Sequence, residues 1–579
     1  RTPTTAGCVS QLLSTTYTMH GRLKIKTTAE QAAEKQKERA EKRKLYLAGL
    51  TKAFAKRTSG IHDEEGLKIT AQLLIVNPDV STLWNFRREI LLAMKGEDQE
   101  SWEKSLTGEM TMVENCLMKN HKSYGAWHHR CWVMENFSSP PWTAELALCD
   151  KYLKVDERNF HCWDYRRFVV AGSDQQPEDE LKVSQHLIEH NLSNYSAWHY
   201  RSKLLPEVYP PPPNTPHPIS EHALIKELKT VVEAVFTDPS DQSPWFFLRW
   251  LVNRQEKTPR MLQVGYVRNK ENAGLLICVF SQPVLETEVA LVRVDGSDSD
   301  EPLLWYTPNN EKYSYVWVAK LQLSSDEAHA VQININSSMK KTLSVDVGST
   351  QAIEWVTALD VCGEELSDTT RSTLEEVKEN CVTLDELDPG NKWVLLTLVD
   401  VMWALDSHTH QKKIHSYLSQ LEELDPLRST YYLDMKSKLA METALKQHRI
   451  IAESGSKFQL SDYHLTRITL SHLLASTANV DLSCNNLTSI SSLENLVACR
   501  MLNLDNNQIQ NLAPLASLTS LETLSLANNK IENLDQIKFL EGLPTLTELN
   551  VSSNPICDLQ NIDEDIKKTL PNVRSLILC

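Results

Sequence analysis

The stretch "KSYGAWHHRCW" (Lys122 to Trp132) contains a tryptophan and an arginine that lie one helical turn apart. The same pair recurs in the first half of the chain, with successive tryptophans 43, 36, 35 and 47 residues apart. The copies are Trp84/Arg87, Trp127/Arg130, Trp163/Arg166, Trp198/Arg201 and a looser one at Trp245/Arg249. A repeat of this length predicts stacked helical hairpins, each of which buries its apolar stripe against its neighbours.

Polar residues at fixed distances before each tryptophan predict where the helices end and begin. An Asn or Asp stands seven residues before each tryptophan, at Asn77, Asn120, Asp156, Asn191 and Asp238. In four of the five copies a residue suited to an N-cap stands four residues before it, at Ser123, Asn159, Asn194 and Asp241. A cap followed by aromatic residues at helical spacing predicts that a helix begins there with its rings on one face.

The apolar period changes from helical to two after Arg260. Short runs with strand composition follow, namely "LLICVF" (275–280), "VALVRV" (289–294), "YSYVWVAKLQL" (313–323), "AVQININ" (330–336) and "TLSVDV" (342–347). They predict an antiparallel sandwich of immunoglobulin-like type. Helical patterns return at 369–387 and 393–405, so we expect the sandwich to be an insertion into the helical domain.

The last part of the chain predicts a leucine-rich repeat domain. The segments "VDLSCNNL", "LNLDNNQI", "LSLANNKI" and "LNVSSNPI" share one pattern, with asparagines at Asn485, Asn507, Asn529 and Asn554. Steps of 22, 22 and 25 residues are typical of this fold, in which each Asn side chain bonds backbone groups at a turn. "ITL" (468–470) is interpreted as one more strand of a shortened first repeat.

The predicted fold class is therefore multidomain: an α-α helical-hairpin superhelix with an inserted immunoglobulin-like β-sandwich and a C-terminal leucine-rich repeat domain. The predicted boundaries are a flexible tail at 1–27, helical repeats at 28–257, the sandwich at 258–349, the second helical part at 350–450 and the leucine-rich domain at 455–579. Met19 is typical of a natural start, so residues 1–18 need not belong to the native protein. We expect the sandwich and the leucine-rich domain to have cores of their own.

Two further segments have composition of their own. Residues 28–57 are rich in Glu, Lys, Arg and Ala and predict a solvated helix, although a basic helix can also bind an acidic partner. Seven prolines between Pro206 and Pro218 predict an extended loop rather than a helix. Such a loop can bind an SH3 or WW domain, but no clean flanking basic residue accompanies it.

Composition limits the function classes. At 579 residues the chain is too long for one core, and its net charge of −16 argues against general nucleic-acid binding. The 12 cysteines form no Cys-x-x-Cys pair, which indicates reduced thiols and a cytoplasmic location. No apolar run in the sequence approaches the 18 or more residues of a transmembrane segment.

Known catalytic motifs are absent from the sequence, which has no Gly-rich phosphate loop, no His-Glu-x-x-His and no nucleophile elbow. His128, His129 and His199 lie beside the repeat tryptophans without metal-ligand spacing, so we interpret them as packing or helix-surface residues and predict no metal site. From the residues alone, a non-enzymatic adaptor scaffold built from helical, sandwich and leucine-rich surfaces is the plainest interpretation.

The tryptophan-arginine runs resemble the alpha-subunit repeat of the protein prenyltransferases, and most of all its Rab geranylgeranyltransferase branch. Helical repeats, inserted sandwich and leucine-rich end occur together in that branch, whereas the tetratricopeptide pattern Trp-x-x-Leu-Gly-x-x-Tyr is absent here. The resemblance implies a heterodimeric enzyme in which a beta subunit holds zinc and most of the isoprenoid pocket. It implies transfer from geranylgeranyl diphosphate, the co-substrate, to C-terminal cysteines of Rab GTPases that a Rab escort protein delivers.

The resemblance also implies candidate site residues. The family's Lys-x-Tyr before a repeat helix matches Lys122 and Tyr124, and its aromatic-His pair in the next repeat matches Phe160 and His161. Lys122 would stabilise the departing diphosphate, and Tyr124 and His161 would assist. Phe160 replaces the tyrosine of the farnesyl branch, so one phenolic donor is missing. Two plainer interpretations stay open: Lys122 as an ordinary loop lysine, and Tyr124 as a core aromatic like Tyr195 at the same repeat position.

Overall fold

The structure of the chain is a computed structural model. It describes residues 29–96, 98–213, 215, 217–253, 259–268, 274–285, 291–294, 303–323, 327–335, 339–346, 351–356, 366–451 and 457–578. The predicted tail at 1–27 lies outside these residues. The chain divides into two compact units, residues 1–175 and residues 176–579.

The first unit is helical. Its helices are α1 (Ala29–Thr58), α2 (Glu64–Val76), α3 (Ser81–Met94), α4 (Gln99–Lys119), α5 (Tyr124–Glu135), α6 (Trp142–Val155) and α7 (Phe160–Gly172). Helix α1 is exposed over 33–45, and its C-terminal part docks through the buried Ala53 and an ion pair between Arg57 and Glu89 at 2.6 Å. From α2 onward the helices form pairs, in agreement with the predicted hairpins.

The second unit continues the hairpins and resumes them after the sheets. Its long helices are α8 (Pro177–His190), α9 (Tyr195–Val208), α10 (Glu221–Thr237), α11 (Gln242–Val252), α12 (Asp368–Leu387), α13 (Lys392–Asp406), α14 (Gln411–Leu424) and α15 (Ser429–Ile451). Thr370 donates a hydrogen bond to Glu221 at 2.7 Å, and Asn391 donates one to the Pro239 carbonyl at 3.0 Å. Because α12 and α13 thus pack on α10 and α11, the intervening sheets are inserted between neighbouring helix pairs.

Two antiparallel sheets form the inserted region. Their strands are β1 (Met261–Arg268), β2 (Gly274–Leu285), β3 (Leu291–Val294), β4 (Trp305–Tyr306), β5 (Tyr313–Lys320), β6 (His329–Ile335), β7 (Met339–Val345) and β8 (Gln351–Trp355). One sheet has the order β4-β5-β2-β1-β8 and the other β3-β6-β7. The sequence patterns missed β1, β4 and β8, and the sheet continues through β8, past the predicted boundary at 349.

The five-stranded sheet is apolar on both faces. In β2, Leu276, Cys278 and Phe280 share a core with the three-stranded sheet. The alternate residues Ile277 and Val279 belong instead to a core that includes the leucine-rich repeats. The two sheets therefore have a core of their own, as expected, but the expectation that the leucine-rich domain has a separate core is wrong. The continuous apolar run "LLICVF" is the sequence signal for a strand that is covered on both faces. Apolar and polar residues alternate in a strand with one solvated face, but not in a strand that is covered on both.

Direct contacts join this sheet to the leucine-rich domain. The Ser476 hydroxyl donates to the Gln263 side chain at 3.0 Å, and the Gln351 amide donates to the Ser476 carbonyl at 2.6 Å. A Cβ at Gly265 would lie 2.4 Å from Ser476 Oγ, so only glycine allows this close approach. Tyr315 also stacks on the buried His472 with 4.5 Å between ring centroids.

The leucine-rich domain is a ladder of short parallel strands. These are β9 (Phe458–Gln459), β10 (Asn479–Asp481), β11 (Met501–Asn503), β12 (Thr523–Ser525), β13 (Glu548–Asn550) and β14 (Ser575–Ile577), with short helices α16 (Leu534–Lys538) and α17 (Ile562–Thr569). All four predicted asparagines are buried. Asn507, for example, donates to the carbonyls of Leu482 and Leu504 at 3.1 and 3.0 Å and accepts from the Leu487 N–H at 3.1 Å.

The predicted first strand of this domain is wrong. Residues 468–470 form no strand, and Leu470 has a left-handed φ of 58°. The first strand is β9, and Val480 in β10 pairs with Phe458. Tyr463 stands where the other repeats have asparagine, 22 residues before Asn485, and this substitution hid the repeat from the pattern.

Candidate functional site

The turns between paired helices are built from the predicted Asn and Asp residues. Asn120 ends α4, and its side chain accepts the Lys122 backbone N–H at 3.0 Å. Asp156 ends α6 and accepts the Arg158 N–H at 3.2 Å in the same way. Such a turn lets a side chain replace a backbone acceptor while the chain reverses. Lys122 is therefore placed at a fixed point of a tight turn.

The predicted caps start the following helices. Ser123 accepts the Ala126 N–H at the start of α5, and Asn159 accepts the N–H groups of His161 and Cys162 at the start of α7. Each repeat tryptophan then donates its indole N–H to a carbonyl six residues earlier. The pairs are Trp84 to Pro78, Trp127 to His121, Trp163 to Glu157, Trp198 to Leu192 and Trp245 to Pro239, at 2.7–2.9 Å.

Hydrogen bonds to one carbonyl join two successive turns of the first unit. The His121 carbonyl accepts the Trp127 indole N–H at 2.8 Å and the Asn159 side-chain amide at 2.8 Å. Because Asn159 is the cap of α7, this bond places the start of α7 beside the turn that carries Lys122. Residues that the sequence separates by a whole repeat thereby become neighbours.

All four candidate residues come together at this edge of the repeats. The Tyr124 ring lies 5.9 Å from the Phe160 ring and 4.1 Å from the His161 ring, measured between centroids. Phe160 and His161 are 3.9 Å apart by the same measure. The exposed fractions are 71% for Tyr124 and 53% for Phe160, whereas His161 is buried. An exposed aromatic pair thus stands over a buried imidazole.

The ammonium of Lys122 lies 2.9 Å from an oxygen of Asp156, with half of the lysine side chain exposed. Burial favours protonation of the Asp156 carboxyl, but the hydrogen bond and charge of Lys122 outweigh it, so the pKa lies below its usual value. His121 Nε2 lies 3.5 Å from the same oxygen. Burial, assisted by the charge of Lys122 and opposed by Asp164, lowers the pKa of His161 and keeps the imidazole neutral at pH 7.

This placement decides one of the open alternatives. Tyr124 is mostly exposed and Tyr195 is 48% exposed, so the core-aromatic interpretation of both is wrong. Lys122 is more than an unattached loop lysine, because its ion pair with Asp156 ties it to the next repeat. The sequence identifies Asp156 only as a repeat position, because its side chain meets Lys122 only when two repeats stack.

Sequence reasoning also missed the carboxylates that pair with the repeat arginines. In the first unit, Glu109 is buried and accepts two hydrogen bonds from Arg87. Arg87 Nε donates the shorter bond, and Arg87 Nη2 donates the other at 2.7 Å. His129 Nε2 lies 2.8 Å from the same carboxylate, and its ring packs 4.7 Å from that of Trp84. The packing interpretation of His129 is therefore confirmed.

The described ranges contain neither a metal-ligand cluster nor a helix suited to a membrane span. No group of three or more His, Cys, Asp or Glu side chains there is arranged to hold a metal ion. None of the helices described is both long and apolar enough for a membrane span. The cysteines within these ranges are free thiols.

Comparison with known sequence families assigns both kinds of repeat. The family described as "Protein prenyltransferase alpha subunit repeat" matches residues 63–94, 106–137, 142–172, 177–207 and 224–255. The family described as "Leucine Rich repeats (2 copies)" matches 497–539 and 519–564. The helical part of the chain, which carries the candidate site at its turns, is therefore of the prenyltransferase alpha class.

Curated relatives extend the match over most of the chain. "Geranylgeranyl transferase type-2 subunit alpha" of Rattus norvegicus is 38% identical over 480 residues, covering 81% of this chain and 83% of that protein. The Homo sapiens protein of the same name is 39% identical over 488 residues, with the same two coverages. That of Dictyostelium discoideum is 37% identical over 257 residues, covering 44% of this chain but 80% of that protein. The chain belongs to the family of geranylgeranyl transferase type-2 alpha subunits.

Proposed function

We propose that the chain is the alpha subunit of a heterodimeric Rab geranylgeranyltransferase. The enzyme transfers the geranylgeranyl group of geranylgeranyl diphosphate to C-terminal cysteines of Rab GTPases. The observation that carries the proposal is the gathering of Lys122, Tyr124, Phe160 and His161 at one edge of the repeats, in a chain of this family. Family membership favours this function over the adaptor interpretation.

Lys122 is the residue that acts on the leaving group. When the bond between the isoprenoid and the diphosphate breaks, negative charge gathers on the diphosphate and needs a cation aimed at it. The pair with Asp156 orients the ammonium, and half-exposed pairs of this kind contribute at most about 1 kcal/mol. A diphosphate, which carries more charge than one carboxylate, can therefore take the ammonium over at little cost.

The other three residues shape the place that the diphosphate and the isoprenoid occupy. Neutral His161 can donate one hydrogen bond without adding charge, and its backbone is fixed by the cap at Asn159. Tyr124 offers a phenolic hydroxyl at the exposed edge. Phe160 offers only an apolar ring, which packs beside Tyr124 and His161.

The remaining chemistry belongs to partners. Zinc held by the beta subunit would lower the pKa of the substrate thiol, so that a thiolate attacks the first isoprenoid carbon. The described ranges offer no three-ligand group that could replace it. A Rab escort protein presents the Rab substrate, and the free thiols are compatible with a cytoplasmic location.

The inserted sheets, which share a core on one face, form a sandwich of immunoglobulin-like type. An experimental structure with a strand order foreign to that class would contradict this.

Reconstitution tests the proposed division of labour. The full chain alone should transfer no geranylgeranyl group and bind no stoichiometric zinc. The same chain co-expressed with a prenyltransferase beta subunit should co-purify with it, bind zinc and prenylate a Rab protein in the presence of escort protein. Transfer by the isolated chain, or failure to associate with any beta subunit, would contradict the proposal.

A further inference from the structure

The loop between α9 and α10 carries the run "YPPPP" (Tyr209 to Pro213), which the proposed transferase function does not use. Each proline fixes its own φ, and each residue that precedes a proline is restricted to extended backbone. Pro210, Pro211 and Pro212 all precede another proline, so this run is confined to a polyproline II conformation. The segment is a preformed ligand rather than a loop that must be ordered first.

Exposure differs regularly along the run. Tyr209, Pro210, Pro212 and Pro213 are exposed, and only Pro211 is half-buried. A polyproline II helix has three residues per turn, so Pro210 and Pro213 form one ridge and Pro212 lies on a second. Tyr209, with φ −124° and ψ 62°, is the C-cap of α9 just before the prolines. Pro211 occupies the third, inward direction. Two adjacent ridges therefore face outward, and these are what aromatic-lined grooves receive.

Both ends of the loop are anchored. The Tyr209 N–H donates to the Leu205 carbonyl at 2.8 Å, and the Ser220 N–H donates to the Tyr209 carbonyl at 2.9 Å. On the far side His217 is buried, and its Nε2 lies 2.9 Å from the Leu251 carbonyl. A ligand held in this way loses less conformational freedom on binding than a disordered segment would.

We propose that Tyr209–Pro213 docks into the aromatic-lined groove of a polyproline-binding domain of the EVH1 type. An aromatic side chain ahead of the prolines, 39% exposed here, suits a groove with a pocket at that end. SH3 grooves pair the proline ridges with a basic residue, and the chain has no Lys or Arg between Lys203 and Lys226. WW domains take prolines followed by tyrosine, whereas here the tyrosine comes first.

The test measures binding of the full chain to immobilised, purified EVH1, SH3 and WW domains by biolayer interferometry. The EVH1 domain should bind most tightly. Tyr209→Ala, and the pair Pro210→Ala with Pro213→Ala, should each weaken that binding by about 10-fold or more, the size expected when a central anchor is removed. Pro211→Ala is the matched control, because the same chemical change on the inward ridge should weaken binding by less than about 3-fold.

Tighter binding to an SH3 or WW domain would overturn the assigned class, and binding to none of the three would overturn the docking surface itself. Equal loss in Pro211→Ala and in the ridge variants would contradict the inferred orientation. None of these residues belongs to the candidate site, so transfer activity with a beta subunit should be retained in every variant. This keeps a failure of this inference separate from a failure of the proposed function.

Discussion

The helical repeats and the leucine-rich repeats both bury one polar side chain per repeat, but they satisfy it differently. Three of the repeat arginines pair with carboxylates of the next hairpin, namely in Arg87–Glu109, Arg130–Glu145 and Arg201–Glu227, whose members are 22, 15 and 26 residues apart. The asparagines instead bond backbone carbonyls at a constant offset of three residues, as in Asn507 to Leu504 and Asn529 to Leu526.

The difference teaches what each region needs from its sequence. A backbone carbonyl is present whatever the neighbouring residue is, so the asparagine ladder depends on one side chain per repeat. A buried guanidinium needs a carboxylate that another position must supply, and removing one partner leaves the other charged and buried. Damage should therefore be greater in the helical repeats, and it should be greatest where two regions share a core.

The largest effect is expected from truncation before residue 457. Removing the leucine-rich domain would expose Val267, Ile277, Val279, Val316 and Val318 on the five-stranded sheet. Burial of five such side chains contributes roughly 7–15 kcal/mol, so the truncated chain should aggregate or unfold. Size-exclusion chromatography of the soluble fraction measures this.

Removal of both the sheets (261–355) and the leucine-rich domain is the control, because it removes that exposed face as well. The doubly trimmed chain should be soluble and should still bind a beta subunit through its helical repeats. If the singly truncated chain were as soluble and monomeric as the doubly trimmed one, the shared core would contribute little.

Glu109→Ala should cost about 3–5 kcal/mol, because Arg87 would stay buried without its carboxylate. Glu114→Ala is the matched control, since its pair with Lys151 at 2.9 Å is partly exposed and should matter by less than about 1 kcal/mol. Urea denaturation followed by tryptophan fluorescence reports on the helical repeats and the sheets, because the leucine-rich domain contains no tryptophan. Equal costs for the two variants would remove the distinction between buried and exposed pairs.

A third experiment asks what keeps a buried carboxylate ionised. Hydrogen bonding from His129 and the charge of Arg87 overcome burial and lower the pKa of Glu109. In α15, burial raises the pKa of Glu442 to about 7, against the charge of Lys438, whose Nζ lies 3.7 Å away. Because the folded pKa exceeds the unfolded value of 4.5, the stabilising contribution of Glu442 is complete below pH 4.5 and is lost as the pH rises through 7.

Glu442→Gln should therefore raise the free energy of unfolding at pH 8, by at most about 3 kcal/mol, and have little effect at pH 5. Urea midpoints at the two pH values measure the difference. A variant that is equally destabilised at both would show that Glu442 is ionised throughout, as Glu109 is.

The smallest stability effect is expected in the leucine-rich ladder. Asn507→Ala leaves the Leu487 N–H without its acceptor and removes one of the two side-chain hydrogen bonds to each of the Leu482 and Leu504 carbonyls. It should cost about 1–3 kcal/mol. The exposed neighbour Gln508 provides the control as Gln508→Ala. Hydrogen exchange of peptides spanning 480–530 should be faster only in the first variant. If Asn507→Ala lowered the free energy of unfolding more than Glu109→Ala does, damage would be greater in the leucine-rich repeats than in the helical repeats, contrary to the comparison above.

Features fixed by local chemistry could be predicted from the sequence. The caps at Ser123 and Asn159 and the asparagine ladder depend on hydrogen bonds within a few residues or at a constant period. Strand β9 could not be predicted because Tyr463 interrupts the asparagine pattern. The shared core could not be predicted because an apolar run does not indicate which element covers each face of a strand. At the site, the resemblance placed Lys122 correctly at a turn, whereas its pair with Asp156 depends on the stacking of two repeats.

The central claim is that Lys122 at this turn stabilises the departing diphosphate, and the single-turnover transfer rate of the heterodimer tests it most directly. With substrates saturating, Lys122→Ala should lower that rate by roughly 10–1000-fold, the scale of one preorganised charge contact. Affinity for geranylgeranyl diphosphate should change much less, because only the difference between bound substrate and transition state affects the rate. Lys119→Ala, an exposed lysine just before the turn, should match the wild type. A wild-type rate for Lys122→Ala would contradict the account.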